Sequence, residues 1–354
     1  MLLFFKMKDK NTNLRNKHII ACVWDFDKTL IPGYMQTPIF EEYNVDETLF
    51  WREVNSLPAL YAKKGIRVSP ETVYLNHLLS FVKSGVMGGL SNAKLHALGG
   101  KIKFCEGILD FLDELRKVPE ADEEFRKLDI KLEHYIISTG LAEMIRGSKI
   151  ANKVDGIFAC EFIEEPFPPY FTQQPEFDFN SLSTQINQIG AIVDNTIKTR
   201  FIYEINKGAN KNQDIDVNAQ MSVTDRRIPI DNMIYIADGP SDVPVFSVVR
   251  NGGGKTFAVY DPENDAELEQ NDMLQQSGRI DSYGECVYTK GTQTHKWLKM
   301  HVRKICERIV ADYQRMVEAR VGKAPKHLHK KDEPFTPALR QPQAADNSET
   351  LNLD

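Results

Sequence analysis

Two carboxylates one residue apart, Asp25 and Asp27, stand at the end of the apolar run Ile19-Ile20-Ala21-Cys22-Val23-Trp24, and Thr29 adds a hydroxyl just beyond them. Side chains two apart on an extended chain point the same way, so the two acids share one face. Close carboxylates repel each other, which calls for a divalent cation, a shared proton, or both. The plainer alternative is a strand that ends in an Asx-turn with both acids in water. Two further apolar runs end in residues that can do chemistry. Residues 132–137 lead into Ser138-Thr139-Gly140, and residues 233–237 lead into Asp238-Gly239-Pro240-Ser241-Asp242. Between them Lys198 stands near the start of a helical pattern over 196–207 that Gly208 closes. Lys207 is its rival, but it falls at the helix end, where a lysine already complements the helix dipole.

The elements that must position these residues follow from the pattern. The run before Asp25 does not alternate with polar residues, as expected of a parallel strand covered on both faces. Strands are predicted at 132–137, 155–162, 233–237 and 255–260, and helices at 108–118, from Gly140 to about Ala151, and at 243–250. Strands alternating with helices predict an α/β fold with a doubly wound, mainly parallel sheet, which binds ligands at the carboxyl ends of its strands. That core is assigned to 18–33 and 100–290. Residues 34–99 read as an inserted α-helical cap, with Ser69 and Pro70 as a helix start and a glycine cluster from Gly85 to Gly100 at the return. Residues 164–183 read as a loop or hairpin, and 209–230 as a polar loop. An amphipathic helix is expected over 292–322, with Trp297, Leu298, Val302, Ile305, Ile309 and Met316 near one side, packed on the domain. The polar stretch 323–354 predicts a disordered tail, and His327-Leu328-His329 reads as part of it.

The whole chain narrows the class. Its 354 residues leave room for a sizeable core plus a second module, and the net charge of −6 argues against a nucleic-acid partner. Five scattered cysteines without C-x-x-C spacing argue against a disulfide framework or a zinc site and fit a reducing compartment. The apolar opening, Met1 to Phe5, is too short for a signal sequence, and no apolar run reaches the length of a membrane span. The expectation is a cytoplasmic protein that binds neither nucleic acid nor membrane.

Asp25-Phe26-Asp27-Lys28-Thr29-Leu30, Ser138-Thr139-Gly140, Lys198 and Asp238 with Asp242 occur in an order that resembles the four motifs of the haloacid dehalogenase (HAD) superfamily, in its phosphoserine-phosphatase-like branch with a helical cap after the first motif. The resemblance covers roughly residues 18–260. It implies a HAD-like Rossmannoid core and a Mg²⁺-dependent phosphatase acting on a small soluble phosphate ester. Asp25 is then the nucleophile that forms an aspartyl-phosphate, and Asp27 the general acid and base. Asp25, the backbone carbonyl of Asp27, and Asp238 become the metal ligands, and Lys198 offsets charge. Ser138, Thr139, Gly140 and Lys198 hold the phosphoryl oxygens, the backbone N–H groups after Ser138 standing at a helix start. Asp242 acts from behind the metal ligands, and Thr29 buttresses the loop. The acid at position 27 disfavours carbon–halogen cleavage, and none of the cap lysines Lys63, Lys64, Lys83 and Lys94 has the apolar setting a Schiff base needs. Tyr34, Trp51, Arg52 and Arg67 are candidates for reading the leaving group. Phosphoryl transfer to another acceptor, or a catalytically weak relative that binds partners, would use the same residues.

Overall fold

A computed structural model of the chain describes residues 18–173 and 184–320. The loop expected at 164–183 lies partly, and the tail at 323–354 wholly, outside the described residues. Among the described residues seven strands form one sheet: β1 Ile19–Trp24, β2 Lys131–Leu141, β3 Gly156–Ile163, β4 Gln188–Ala191, β5 Met233–Ala237, β6 Lys255–Tyr260 and β7 Ser282–Glu285. They lie in the order β4-β3-β2-β1-β5-β6-β7, all neighbours parallel except β4 against β3. The chain builds outward from β1 through β2 and β3, then returns to the other side of β1 with β5. The order therefore switches at β1, and in open α/β sheets the crevice at such a point is where ligands bind. In β1 every residue after Ile19 is buried, which is why its sequence carries no alternation.

Four helices separate β1 from the rest of the core: α1 Thr37–Tyr43, α2 Glu47–Ala62, α3 Pro70–Lys83 and α4 Asn92–Gly99. The start of α3 forms as the sequence predicts, with Pro70 in the first turn and the Ser69 hydroxyl accepting the Thr72 N–H at 3.3 Å. Phe40, Phe50, Trp51 and Phe81 pack together inside this insert, Phe40 and Phe50 with ring centroids 4.8 Å apart. The insert rests on the core where α4 meets α7 Ala142–Arg146, and the reason is two glycines. A Cβ on Gly99 would run into the Met144 carbonyl, and one on Gly147 into that of His96, so only glycine permits this approach.

The remaining helices are α5 Ile108–Arg116, α6 Glu123–Lys127, α8 Ile197–Lys207, α9 Val243–Asn251, α10 Asp265–Gln276 and α11 Gln293–Arg320. α5 packs on β2, α9 on β5 and β6, and α10 on β6 and β7. Gly208 closes α8 in the left-handed conformation, φ 84°. The described residues up to Asp312 form one compact unit that includes the helical insert. Of the second unit, only residues 313–320 are described, as the end of α11. Within the first unit Leu298, Val302, Ile305 and Ile309 of α11 are buried. No helix among the described residues is long and apolar enough to cross a membrane.

Two expectations need correction. The second strand does not stop at residue 137 but runs on to Leu141, and the helix after it is five residues long rather than reaching Ala151. Ser138-Thr139-Gly140 therefore forms a bulge within β2, not a helix start. The pairing with β3 shifts there, from Ile137 opposite Phe158 to Leu141 opposite Cys160. β4, β7 and α10, which carry no long apolar run, escaped the sequence reading altogether.

Candidate active site at the carboxyl ends of three strands

β1, β2 and β5 end side by side, and the loops after β1 and β5 meet directly: the Asp25 N–H donates to the Ile236 carbonyl at 2.8 Å. Beyond Asp27 the backbone turns sharply. Lys28 adopts the left-handed conformation, φ 55°, and its N–H donates to the Gly33 carbonyl at 3.1 Å. That turn brings Met35 back, and the Met35 N–H donates to Asp27 Oδ1 at 2.9 Å. Thr29 is buried, and its carbonyl accepts from Tyr288 and Cys286, so this position anchors the loop through its backbone.

Lys198, one residue into α8, points into the same place and is 1% exposed. Its ammonium donates to Asp25 Oδ1 at 2.8 Å and to Asp242 Oδ1 at 2.7 Å. Asp242 is further held by the Tyr235 hydroxyl on Oδ1 and the Ser241 hydroxyl on Oδ2. Oδ1 of Asp242 is thus committed to fixing Lys198. Lys207 is engaged elsewhere, donating to the carbonyls of Val217 and Ala219. The geometry puts Lys198, and not Lys207, beside Asp25.

The cluster holds more negative charge than Lys198 can balance. Burial raises Asp25 to about 6 against the pull of Lys198. Burial and then the charge of Asp25 lift Asp27 to about 8, although the Met35 N–H favours its ionised form. Burial, Asp25 and Asp242 lift Asp238 to about 8 as well. For Lys198, burial works against the charge, but Asp242 and Asp25 outweigh it and raise the pKa. Carboxylate oxygens of Asp25, Asp238 and Asp242 all lie within 4.8 Å of one another. Hard oxygen donors in surplus, short of one compensating positive charge, fit a hard divalent cation such as Mg²⁺.

The expected phosphoryl cradle is only partly available. Thr139 lines the cavity above the cluster, but the Gly140 N–H donates to the Ser138 hydroxyl at 3.0 Å and the Leu141 N–H to the Met35 thioether at 3.0 Å. Ser138 is itself 1% exposed. Met35 thus touches both sides of the site, and Tyr74 of α3 adds a second tie from insert to β2, its hydroxyl donating to the Thr139 carbonyl at 2.9 Å.

The cavity measures about 400 Å³. Asp25, Asp27, Asp238 and Lys198 line it low down, and Tyr34, Glu71, Asn195, Glu267 and Gln270 line it as well. Of the cap candidates only Tyr34 reaches it, while Arg52 and Arg67 are exposed and Trp51 packs against Tyr34. Glu71, Asn195, Glu267 and Gln270 were missed from sequence. The one usable signal was Asn264-Asp265-Ala266-Glu267, a helix start whose Asn264 side chain accepts the Glu267 N–H.

No protein-family model matches the chain. A protein of Borreliella burgdorferi, described as uncharacterized, is 39% identical over 295 residues, which cover 82% of this chain and 98% of that one. Among solved structures, a HAD-family hydrolase of Salmonella enterica serovar Typhi superposes with a TM-score of 0.44 at 16% identity, covering 75% of this chain and 67% of its own. A phosphoserine phosphatase with a phospho-aspartyl intermediate analogue also gives 0.44, at 15% identity, covering 80% of this chain and 99% of its own. A dehalogenase with an intermediate complex gives 0.36 at 11% identity, covering 77% and 94%. Likeness this loose decides nothing about chemistry, which has to come from the side chains.

Proposed function

This chain belongs to one family with the uncharacterized Borreliella burgdorferi protein, and we propose that it is a Mg²⁺-dependent phosphomonoesterase of the HAD type, acting on a small phosphate ester. The observation that carries the reading is Lys198, buried between Asp25 and Asp242 under a cavity that Asp27 and Asp238 also line. An ion pair so deeply buried is a poor device for stability, because desolvation offsets most of its attraction. It makes sense as a held nucleophile.

Two carboxylates pushed to different pKa values take different roles. Asp25, about 6, is ionised at neutral pH and attacks phosphorus in line. Asp27, about 8, is protonated and gives its proton to the leaving oxygen as the P–O bond breaks. Now ionised, it takes a proton from the water that attacks the aspartyl-phosphate, returning Asp25 and releasing phosphate. Asp25 and Asp238 would hold the cation through their carboxylates. Bound Mg²⁺ would offset the charge of the phosphoryl oxygens facing Asp25. Lys198 keeps Asp25 aimed, and Asp242 with Tyr235 keeps Lys198 aimed.

The upper cavity supports a narrower reading of the substrate. Glu71 adds negative charge there, Lys28 and Glu267 offset each other at 3.0 Å, and no arginine is among the described lining residues. A leaving group that is neutral or carries an ammonium fits this wall, whereas one with a second anion does not. Five free thiols favour a reducing compartment, the cytoplasm, as the place of the reaction.

The test is phosphate release from a panel of monoesters with neutral, cationic and anionic leaving groups, with and without Mg²⁺. The reading expects metal-dependent release that Asp25→Asn abolishes. Undiminished release by Asp25→Asn would sink it.

A further inference from the structure

Beside the catalytic loop the structure brings together two cysteines 181 positions apart in the chain: Cys105 Sγ and Cys286 Sγ lie 2.6 Å from each other, both as free thiols. Cys105 belongs to the segment that returns from the helical insert to α5, and its N–H donates to the Leu30 carbonyl at 2.9 Å. Cys286 follows β7, and its thiol donates to the Thr29 carbonyl at 3.1 Å. Three segments thus meet at this point: the loop bearing Asp25 and Asp27, the return from the insert, and the end of the sheet. Tyr288 completes the junction, its hydroxyl donating to the Thr29 carbonyl and its N–H to the Glu106 carbonyl.

The pair is buried but not sealed. Each thiol is 8% exposed, and both line a second cavity of about 270 Å³. Lys28, which also lines that cavity, is paired with Glu267, and Glu106, Asp261 and Glu263 leave its wall acidic, which repels anionic disulfides and thiolates and admits a small neutral oxidant. The Cys286 S–H is engaged by the Thr29 carbonyl, and its contact with Cys105 and burial push its pKa up, so it acts second.

We propose that Cys105 and Cys286 are a modification site for peroxide, a dithiol that closes to a disulfide and so slows the adjacent active site. The Cys105 sulfur attacks one peroxide oxygen, the O–O bond breaks, water leaves, and Cys105 becomes a sulfenic acid. The Cys286 sulfur then attacks the Cys105 sulfur. The S–O bond breaks, the S–S bond forms, and a second water carries off the Cys286 proton. Two thiols are oxidised and one peroxide is reduced to two waters. The closed pair withdraws the Cys286 donor from the Thr29 carbonyl and ties the return from the insert to the end of the sheet. Motion of the insert over the cavity, which admits substrate and releases product, is thereby restrained.

The experiment treats the full chain with hydrogen peroxide, maps the cysteines by mass spectrometry without reduction, and follows turnover of an aryl phosphate before and after dithiothreitol. The expected result is a peptide pair joined through Cys105 and Cys286, with a several-fold loss of turnover that dithiothreitol restores. Cys105→Ser and Cys286→Ser, the latter keeping a hydroxyl donor for the Thr29 carbonyl, should each keep basal turnover and lose both the cross-link and the peroxide sensitivity. The wild-type map does not depend on either variant folding, and it reads pairing whether or not the phosphatase reading holds. Both thiols still alkylated on unfolding, in protein whose exposed Met273 has already been oxidised, would overturn the proposal. So would a cross-link that leaves turnover unchanged.

Discussion

At the floor of the main cavity Asp25, Lys198 and Asp242 are each less than a tenth exposed and are tied to one another, whereas higher in the same cavity Tyr34 is 47% exposed and Glu71 is half-buried. The floor is over-determined. Strand ends fix Asp25 and Asp238, a helix start fixes Lys198, and Tyr235 with Ser241 fixes Asp242. The upper wall is drawn from α3, α10 and loops, and Glu71 makes no ion pair among the described residues. The difference separates two jobs. Chemistry is held by groups that cannot move without leaving a buried charge unpaired, and selectivity is left to groups that can be exchanged at little cost to the fold.

Substitutions at the floor should break this division most severely. Asp25→Asn should lower turnover by about 10⁴-fold or more while Mg²⁺-free stability holds or rises, since a nucleophile and a buried charge are lost together. Asp27→Asn should cost about 10²- to 10⁴-fold, the usual worth of a general acid and base. Steady-state kinetics with an aryl phosphate measures both. Lys198→Met should lower stability by about 3–5 kcal/mol in urea unfolding without Mg²⁺, because Asp25 and Asp242 then face each other unpaired.

A smaller effect lies under the floor. His134, opposite Cys22 in the sheet, is fully buried, accepting from Trp24 Nε1 at 3.2 Å and donating from Nε2 to the Leu112 carbonyl at 3.0 Å. Burial lowers its pKa from 6.5 to about 3. The unfolded chain therefore binds a proton below 6.5 that the folded chain refuses until about 3. Stability from this group is whole above pH 6.5 and is lost as pH falls toward 3, by about 1.4 kcal/mol per pH unit. Urea unfolding of wild type and His134→Gln across pH 4–7 should show the difference narrowing by that slope. Parallel curves would contradict it.

The upper wall should yield the mildest change and the most specific one. Glu71→Gln should leave stability within about 0.5 kcal/mol and the rate on a neutral ester nearly unchanged. It should weaken esters with an ammonium-bearing leaving group and improve those with a second anion, read as a shift in KM across the panel.

The same contrast explains what could be read from the sequence. The floor was legible because buried parallel strands must be continuously apolar, so the first polar residue after each of β1 and β5 announces a strand end. Lys198 could be preferred over Lys207 because only one of them sits at a helix start. The bulge at Ser138 to Gly140 was not legible, since it depends on β3 and on the Met35 thioether arriving from a distant segment. β4 and β7 are four residues each, too short for a period to reveal. Glu71 and Glu267 look like any other acid in the first turn of a helix, and only the packing of α3 and α10 around the cavity gives them a role.

The most direct test of the central claim is to mix the protein with Mg²⁺ and its best ester from the panel, quench in acid within a turnover, and map the peptides by mass. One added phosphoryl group is expected on the peptide from β1 and its loop, located at Asp25 and absent from Asp25→Asn. A fully active enzyme that never carries phosphate on Asp25 at any quench time would contradict it.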